Sequence, residues 1–215
     1  MATKFFYLGV DLGQSQDPTA VVLVEREMVV LPERDPATFE FKTDYVYHVM
    51  GTRRLKLGTP YPEIVKQVVA IAGMLPGARQ LTYVVDATGV GRPVVDLLRQ
   101  AVGDVAPIVP VVFTGGETVR YEDGFYRVPK KDLVHNVMVL LQTGKLRIAE
   151  RSEDSRALVT ELTNMRVKIT ANENATYEAW RQGQHDDLVF ALSLACWRAR
   201  RMERKPLGSR QQLLW

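Results

Sequence analysis

The chain has a single cysteine, Cys196, and three histidines far apart in sequence, His48, His135 and His185. One cysteine excludes an internal disulfide and any cysteine-based zinc cluster, and the scattered histidines argue against a histidine-rich zinc site. Cys196 lies within the apolar stretch Leu188–Trp197 and reads as an inert buried thiol. No apolar run approaches the roughly 20 residues that span a bilayer. The N-terminal Met1-Ala-Thr-Lys-Phe-Phe-Tyr-Leu8 lacks the length and the small-residue cleavage site of a secretory leader. These absences predict a soluble cytoplasmic protein with no membrane partner. Internal repeats and low-complexity tracts are missing too. Neither sign of charge dominates: a net charge of +3 permits a nucleic-acid partner without demanding one.

What is present reads as one domain over residues 1–205 with a tail at 206–215. Phe5–Leu12, Thr19–Val30 and a segment within Asp44–Leu57 have strand character, and Pro32–Thr43 between the last two reads as a surface loop. Three strands joined without helices predict an antiparallel meander. The period then changes. Tyr61–Met74 carries apolar residues at helical spacing behind Pro60, Leu81–Val85 is a short strand ending at Asp86, and Pro93–Val102 is a second helix. Val105–Phe113 is a fifth strand, whose prolines predict a place near an edge. The order predicts an α/β fold: a mixed five-stranded sheet, meander plus parallel strands, flanked by helices, with the fourth strand parallel beside the first. Further on, Gly115–Val128 reads as an added hairpin and Lys130–Thr143 as a helix closing at Gly144. Leu146–Ile148 and Met165–Thr170 read as short strands around a helix at Glu153–Asn164, and Asp187–Arg204 as the final helix.

Three acidic positions stand out against this pattern. Asp11 sits in Tyr7-Leu-Gly-Val-Asp-Leu-Gly13, Asp86 ends the fourth strand in Tyr83-Val-Val-Asp-Ala-Thr-Gly89, and Asp186-Asp187 open a helix that is apolar on nearly every side. Aspartate is a poor strand former, and charge near a core is costly. Convergence of the three on divalent cations would relieve all of them, and an oxygen-only ligand set favours Mg²⁺ or Mn²⁺. Each has a plainer reading as well. Asp11 and Asp17 are turn residues in that reading, Asp86 begins an ordinary strand-to-helix turn, and Asp186-Asp187 cap a helix. His185 reads as a neighbour or substrate contact of the pair. The basic residues Arg53, Arg54 and Lys56, and Arg127 with Lys130 and Lys131, form solvated faces or grip a phosphate backbone. Lys130 and Lys131, after the glycine-rich excursion, are the favoured phosphate contacts.

Taken in order, these stretches resemble the ribonuclease-H-like nucleases, and within them the C-terminal nuclease domain of tailed-phage terminase large subunits. The carrying residues are Gly9-Val-Asp-Leu-Gly13 with Asp17-Pro-Thr-Ala20, Val84-Val-Asp-Ala-Thr-Gly-Val-Gly91, Val128-Pro-Lys-Lys-Asp-Leu133 and His185-Asp-Asp-Leu-Val-Phe-Ala-Leu192. The resemblance implies cleavage of double-stranded DNA during genome packaging. It implies that Asp11, Asp86 and Asp187 are catalytic and hold a pair of Mg²⁺ or Mn²⁺ ions, with Asp186 adjacent. Asp17 falls at a recurrent acidic position of that family, and Asp17 and His185 are secondary candidates. The implied partners are duplex DNA and, in the packaging machine, an ATPase domain, a small terminase subunit and a portal. One departure limits the transfer: no Gly-x-x-x-x-Gly-Lys-Ser/Thr loop occurs in this sequence, so ATP hydrolysis is not carried over. Two other readings stay open. A Holliday-junction resolvase would share fold and metals but cut branched DNA. An actin-like or sugar-kinase-like protein would use the Asp-Leu-Gly and Asp-Ala-Thr-Gly segments as phosphate loops, but needs two such domains.

Overall fold

Alternation along the first strand divides the molecule into two packed layers. β1 (Lys4–Asp11) sends Phe6, Leu8 and Val10 to one face of a sheet and Tyr7 and Gly9 to the other. The computed structural model describes residues 4–13, 17–75, 80–89, 91–149, 152–171 and 186–203, with the side chains of 166–171 left aside. The strands that follow are β2 (Ala20–Arg34), β3 (Phe41–Arg54), β4 (Leu81–Asp86), β5 (Ile108–Thr114), β6 (Arg120–Glu122), β7 (Phe125–Pro129) and β8 (Leu146–Ile148). They form a single sheet in the order β6-β7-β5-β4-β1-β2-β3-β8.

The predicted five-stranded core is its centre. β1, β2 and β3 make the antiparallel meander, β4 lies parallel beside β1, and β5 lies parallel beside β4. The sheet is wider than predicted because both edges are extended. The β6–β7 hairpin adds to β5, and β8 adds to β3. The hairpin turn Asp123-Gly124 has positive φ at both residues (53° and 81°), the geometry whose twist matches a two-residue connection.

Helices α1 (Tyr61–Gly73) and α2 (Gly91–Val102) cover the Phe6 face, burying Ile64, Val65, Val68, Val94, Val95 and Leu98. Helices α3 (Lys130–Gln142), α4 (Glu153–Ala171) and α5 (Asp187–Glu203) cover the Tyr7 face. α5 is buried almost all round, with every residue from Asp187 to Trp197 inside, so it is the central helix of its layer. It lies directly on β1 because residue 9 is glycine. A Cβ there would stand 1.9 Å from the Ala191 carbonyl oxygen, a contact with backbone that no rotamer relieves. Cys196 is fully buried in this layer and its thiol is pushed up to about 12, which makes it inert as expected.

Two sequence expectations need correction and a third is refined. The segment Pro32–Thr43 is not a loop throughout: β2 and β3 run on as a long two-stranded arm, and only the turn from Asp35 to Glu40 is free of strand. Pro32 is tolerated because the pairing is irregular between Val30 and Arg34. β5 lies near one edge of the sheet, but β7 and β6 stand outside it. The carbonyls of Pro107, just before β5, and of Val111 accept from Tyr83 of β4 and from Ala87 just after it, so the nitrogen of Pro110 faces β7, whose pairing begins only at Val111. Met165–Thr170 is not a strand but the end of α4, since the helical stripe Leu158, Leu162 and Met165 carries the chain onward. The tail at 206–215 lies outside the described residues. No helix among the described residues is long and apolar enough to cross a membrane.

Candidate active site

The strand register lays the acidic residues in a row. Val10 pairs with Val85, so Asp11 and Asp86 end adjacent parallel strands side by side. Asp11 pairs with Ala20 on β2, and Ala20 with Arg54 on β3. Arg54, Ala20, Asp11 and Asp86 therefore form one row across four strands. Alternation places Asp11 with Tyr7, and Asp86 with Val84, on the face that α5 covers. Ala20 is fully buried, and its small side chain leaves room between Arg54 and Asp11. The close seat of α5 on Gly9 brings its first residue, Asp187, over this row. Carboxyl ends of parallel strands and a helix N-terminus thus meet at one place, as ligand sites in open α/β sheets do.

The electrostatics are those of crowded carboxylates. Asp86 is buried and its carboxyl is pushed up to about 6 by desolvation. Opposing that shift are the hydroxyl and amide of Thr88, the latter donating to Asp86 Oδ1 at 2.8 Å, together with a hydrogen bond from Asp11 and the Lys130 charge. Asp11 is only half-exposed, and its carboxyl is raised well above the ordinary range by burial first, then by the charges of Asp86 and Asp187. The two carboxyls share a hydrogen bond that raises Asp11 and lowers Asp86, so they titrate as a pair and not independently. Asp187 is buried, and its Oδ2 accepts a hydrogen bond from Arg54 Nε at 3.1 Å.

Lys130, at the first position of α3, lies with its ammonium 4.0 Å from the centre of the Phe190 ring, and its charge lowers both Asp11 and Asp86. It belongs to the carboxylate centre, not only to an outer surface. Lys131 pairs with Glu117 at 2.5 Å and Arg127 with Glu122 at 2.8 Å, both in the hairpin region. Asp186 precedes α5, and its carbonyl accepts the Phe190 amide at 3.0 Å. Asp17 is exposed on the bend between β1 and β2, lining a shallow hollow with Lys56, Thr59 and Tyr61. His185 lies outside the described residues.

Two members of the site escaped the sequence reading. Arg54 was grouped with a basic run, yet its guanidinium is bonded to Asp187 and to Glu161 of α4. Glu161 falls in the stripe Leu158, Leu162, Met165, and a carboxylate in the buried register of an amphipathic helix is the signal that could have found it. Its carboxyl is pushed up to about 7 by desolvation against the pull of Arg54.

Oxygen-only donors whose ionisation is suppressed by burial and mutual repulsion fit a hard divalent cation. Their ligand atoms do not all fall within one ion's reach. Among the described residues, the one trio of acidic or histidine side chains with ligand atoms all within 4.8 Å is Glu25, Glu27 and His48. These stand on the other face of the sheet and are already paired, Lys4 with Glu25 at 2.9 Å and His48 with Glu27 at 3.2 Å.

Comparison with curated proteins gives no match. Among solved structures, the large terminase nuclease from thermophilic phage G20c is similar at 19% identity and a TM-score of 0.49, over 89% of this chain and 81% of that one. Residues 8–198, which run from β1 through Arg198 of α5 and so take in Asp11, Asp86 and Asp187, match the Terminase RNaseH-like domain family, and the chain belongs to that family.

Proposed function

We propose that this protein is a divalent-metal-dependent endonuclease that cuts double-stranded DNA with little sequence preference, in the setting of phage genome packaging. The observation that carries the reading is the row Asp11–Asp86 beneath Asp187, with the carboxyls of Asp11 and Asp86 raised by desolvation. Mg²⁺ or Mn²⁺ bound there would supply the Lewis acidity that in-line hydrolysis of a phosphodiester requires. Asp11 and Asp86 would hold the ions from the sheet and Asp187 from the helix, and the spread of these ligands suits two ions better than one. Asp186 borders the centre and Asp17 is a more distant candidate. Lys130 stands where its charge can meet a phosphate drawn into the centre, while Lys131 and Arg127 lie further out on the hairpin side. In the packaging setting the partners would be duplex DNA, an ATPase domain, a small terminase subunit and a portal, all within the cytoplasm of the infected cell.

The test is incubation of the purified chain with supercoiled and linear plasmid in Mg²⁺, Mn²⁺ or EDTA. Both substrates should be degraded with either metal and spared in EDTA. Strong preference for four-way junctions over duplex would assign the same centre to a resolvase, and ATP hydrolysis without DNA would point to a nucleotide-binding protein.

A further inference from the structure

Arg54 is the only residue of the strand row that carries a positive charge, and it is engaged three times from the α-helical layer. Its Nε donates to Asp187 Oδ2 at 3.1 Å, its Nη2 is bonded to Glu161 Oε1, and its backbone N–H donates to Asp154 Oδ2 at 3.2 Å. Asp154 and Glu161 are seven residues apart on α4, so one face of that helix presents both carboxylates to Arg54. Glu161 is buried in an apolar stripe, where it is bonded to Arg54 and to the Val189 backbone amide in the first turn of α5, and its Oε2 has no hydrogen-bond partner. A leucine at 161 would continue the stripe without the cost of a half-satisfied buried carboxylate. Packing alone therefore does not account for glutamate there.

We propose that Arg54 is a positioning residue for Asp187 and that Glu161 is the counter-charge that lets it act without repelling the metal. The inference rests on the metal-dependent nuclease reading. A guanidinium 3.1 Å from a ligand carboxylate fixes that carboxylate's orientation through a directional fork. Left alone, the same positive charge would weaken cation binding at the adjacent oxygens. With Glu161 bound to its other arm the pair is neutral: orientation is kept and the repulsion is cancelled. Arg54 in this role is not a phosphate contact, although it follows Arg53 in a basic run.

The two substitutions then have opposite signs on metal affinity, which a merely structural ion pair would not produce. Mn²⁺ binding without DNA is measured by electron paramagnetic resonance at about pH 8, and cleavage is followed on plasmid at saturating Mn²⁺. Glu161→Gln should weaken Mn²⁺ binding about tenfold, because it exposes the Arg54 charge. Arg54→Gln should bind Mn²⁺ at least as tightly as wild type yet cut about tenfold more slowly, and Arg54→Lys should recover part of that rate. Duplex affinity in Ca²⁺ and its salt dependence should not change in any of them. Equal weakening of Mn²⁺ binding by both substitutions, a wild-type rate in Arg54→Gln, or a salt slope reduced by one phosphate contact would each overturn the proposal. If Arg54→Gln does not fold, Arg54→Lys, which keeps the charge, should bind Mn²⁺ as wild type does while Glu161→Gln binds it about tenfold more weakly, and weakened Mn²⁺ binding in Arg54→Lys would overturn the proposal. Absence of Mn²⁺ binding and cleavage in the wild-type protein would instead sink the nuclease reading itself.

Discussion

Two acidic groups occupy opposite faces of the same sheet, and distance alone ranks them the wrong way round for the function proposed. Glu25, Glu27 and His48 draw their ligand atoms within 4.8 Å of one another, which Asp11, Asp86 and Asp187 do not. What separates the groups is the source of compensation. Glu25 is bonded to Lys4 and Glu27 to His48, so each of those glutamates has a side-chain partner of its own. Asp86 has Thr88 and Asp11, and Lys130 acts on both aspartates, yet burial still raises the pair. A carboxylate cluster becomes a strong candidate for cations when its ionised form is uncomfortable without them, not simply when its oxygens are near one another.

The sharpest way to break that comparison is to neutralise each group in turn. Asp11→Asn, Asp86→Asn or Asp187→Asn should each reduce plasmid cleavage by about a thousandfold or more while leaving circular dichroism unchanged, because each removes a ligand from one shared centre. Glu27→Gln combined with His48→Ala should leave cleavage within about twofold, as expected of a surface ion pair. Wild-type rates in any two of the three aspartate variants, or loss of activity in the double variant, would exchange the roles of the two faces. Asp186→Asn should cost less than Asp187→Asn, since Asp187 is the residue that α5 buries and Arg54 holds.

A second expectation concerns how the row is assembled. Gly9→Ala places a Cβ on the Ala191 carbonyl and must lift α5 from β1. A loss of about 3 kcal/mol in stability, of the size that overpacking produces, should come with weaker Mn²⁺ binding, because Asp187 moves with the helix. A variant as stable as wild type with unaltered Mn²⁺ affinity would show that the helix does not set the centre's geometry.

The third is smaller and has a definite sign in pH. The carboxyls of Asp11, Asp86 and Glu161 are all raised, the last two to about 6 and about 7. The folded state thus retains protons that the unfolded chain has released, so this contribution to stability is full below the unfolded carboxyl range near pH 4 and is lost as pH climbs through 6 and 7. Without metal, the melting temperature should fall by about 5 °C between about pH 5 and about pH 8, and saturating Mn²⁺ should recover it at the higher pH. Asp35 and Asp44, whose carboxyls are lowered, act in the opposite direction only at more acid pH. A flat profile that ignores Mn²⁺ would mean the aspartate row is as self-sufficient as Glu25, Glu27 and His48.

Much of this organisation could be read from the residues because it rests on local pattern. Apolar runs announce β1, β2 and β4, and Asp11 and Asp86 mark the ends of the first and the last. The unbroken apolar run after Asp187 announces a buried helix. What the pattern hides is pairwise. Pro110 looks like an edge residue until one knows which neighbour its nitrogen faces. Met165–Thr170 alternates like a strand, but its place is decided by Leu162 and Leu158 one and two turns earlier. Arg54 reads as part of a solvated run because its partners, Asp187 and Glu161, lie 133 and 107 residues away. Lys130 and Lys131 look equivalent in sequence, yet one reaches the centre and the other pairs with Glu117.

That last pair supplies the smallest expected effect and extends the comparison from carboxylates to cations. Together, Lys130→Ala and Lys131→Ala should weaken duplex binding about equally across sequences and flatten the salt dependence by up to about two phosphate contacts. The single variants should divide. Lys131 lies in the first turn of α3, where a cation mildly opposes the dipole, and its pairing with exposed Glu117 contributes little. Its removal should lower affinity in Ca²⁺ and reduce the slope by about one, with turnover at saturating DNA unchanged. Lys130 is held against Phe190 beside the acidic row, so its removal should lower turnover more than affinity and raise the pH at which cleavage reaches its plateau, since both aspartates lose a neighbouring positive charge. Titrations at several salt concentrations, paired with single-turnover rates across pH, separate the two. Identical behaviour of the single variants would return both lysines to one outer surface and leave the carboxylate centre without a resident ammonium.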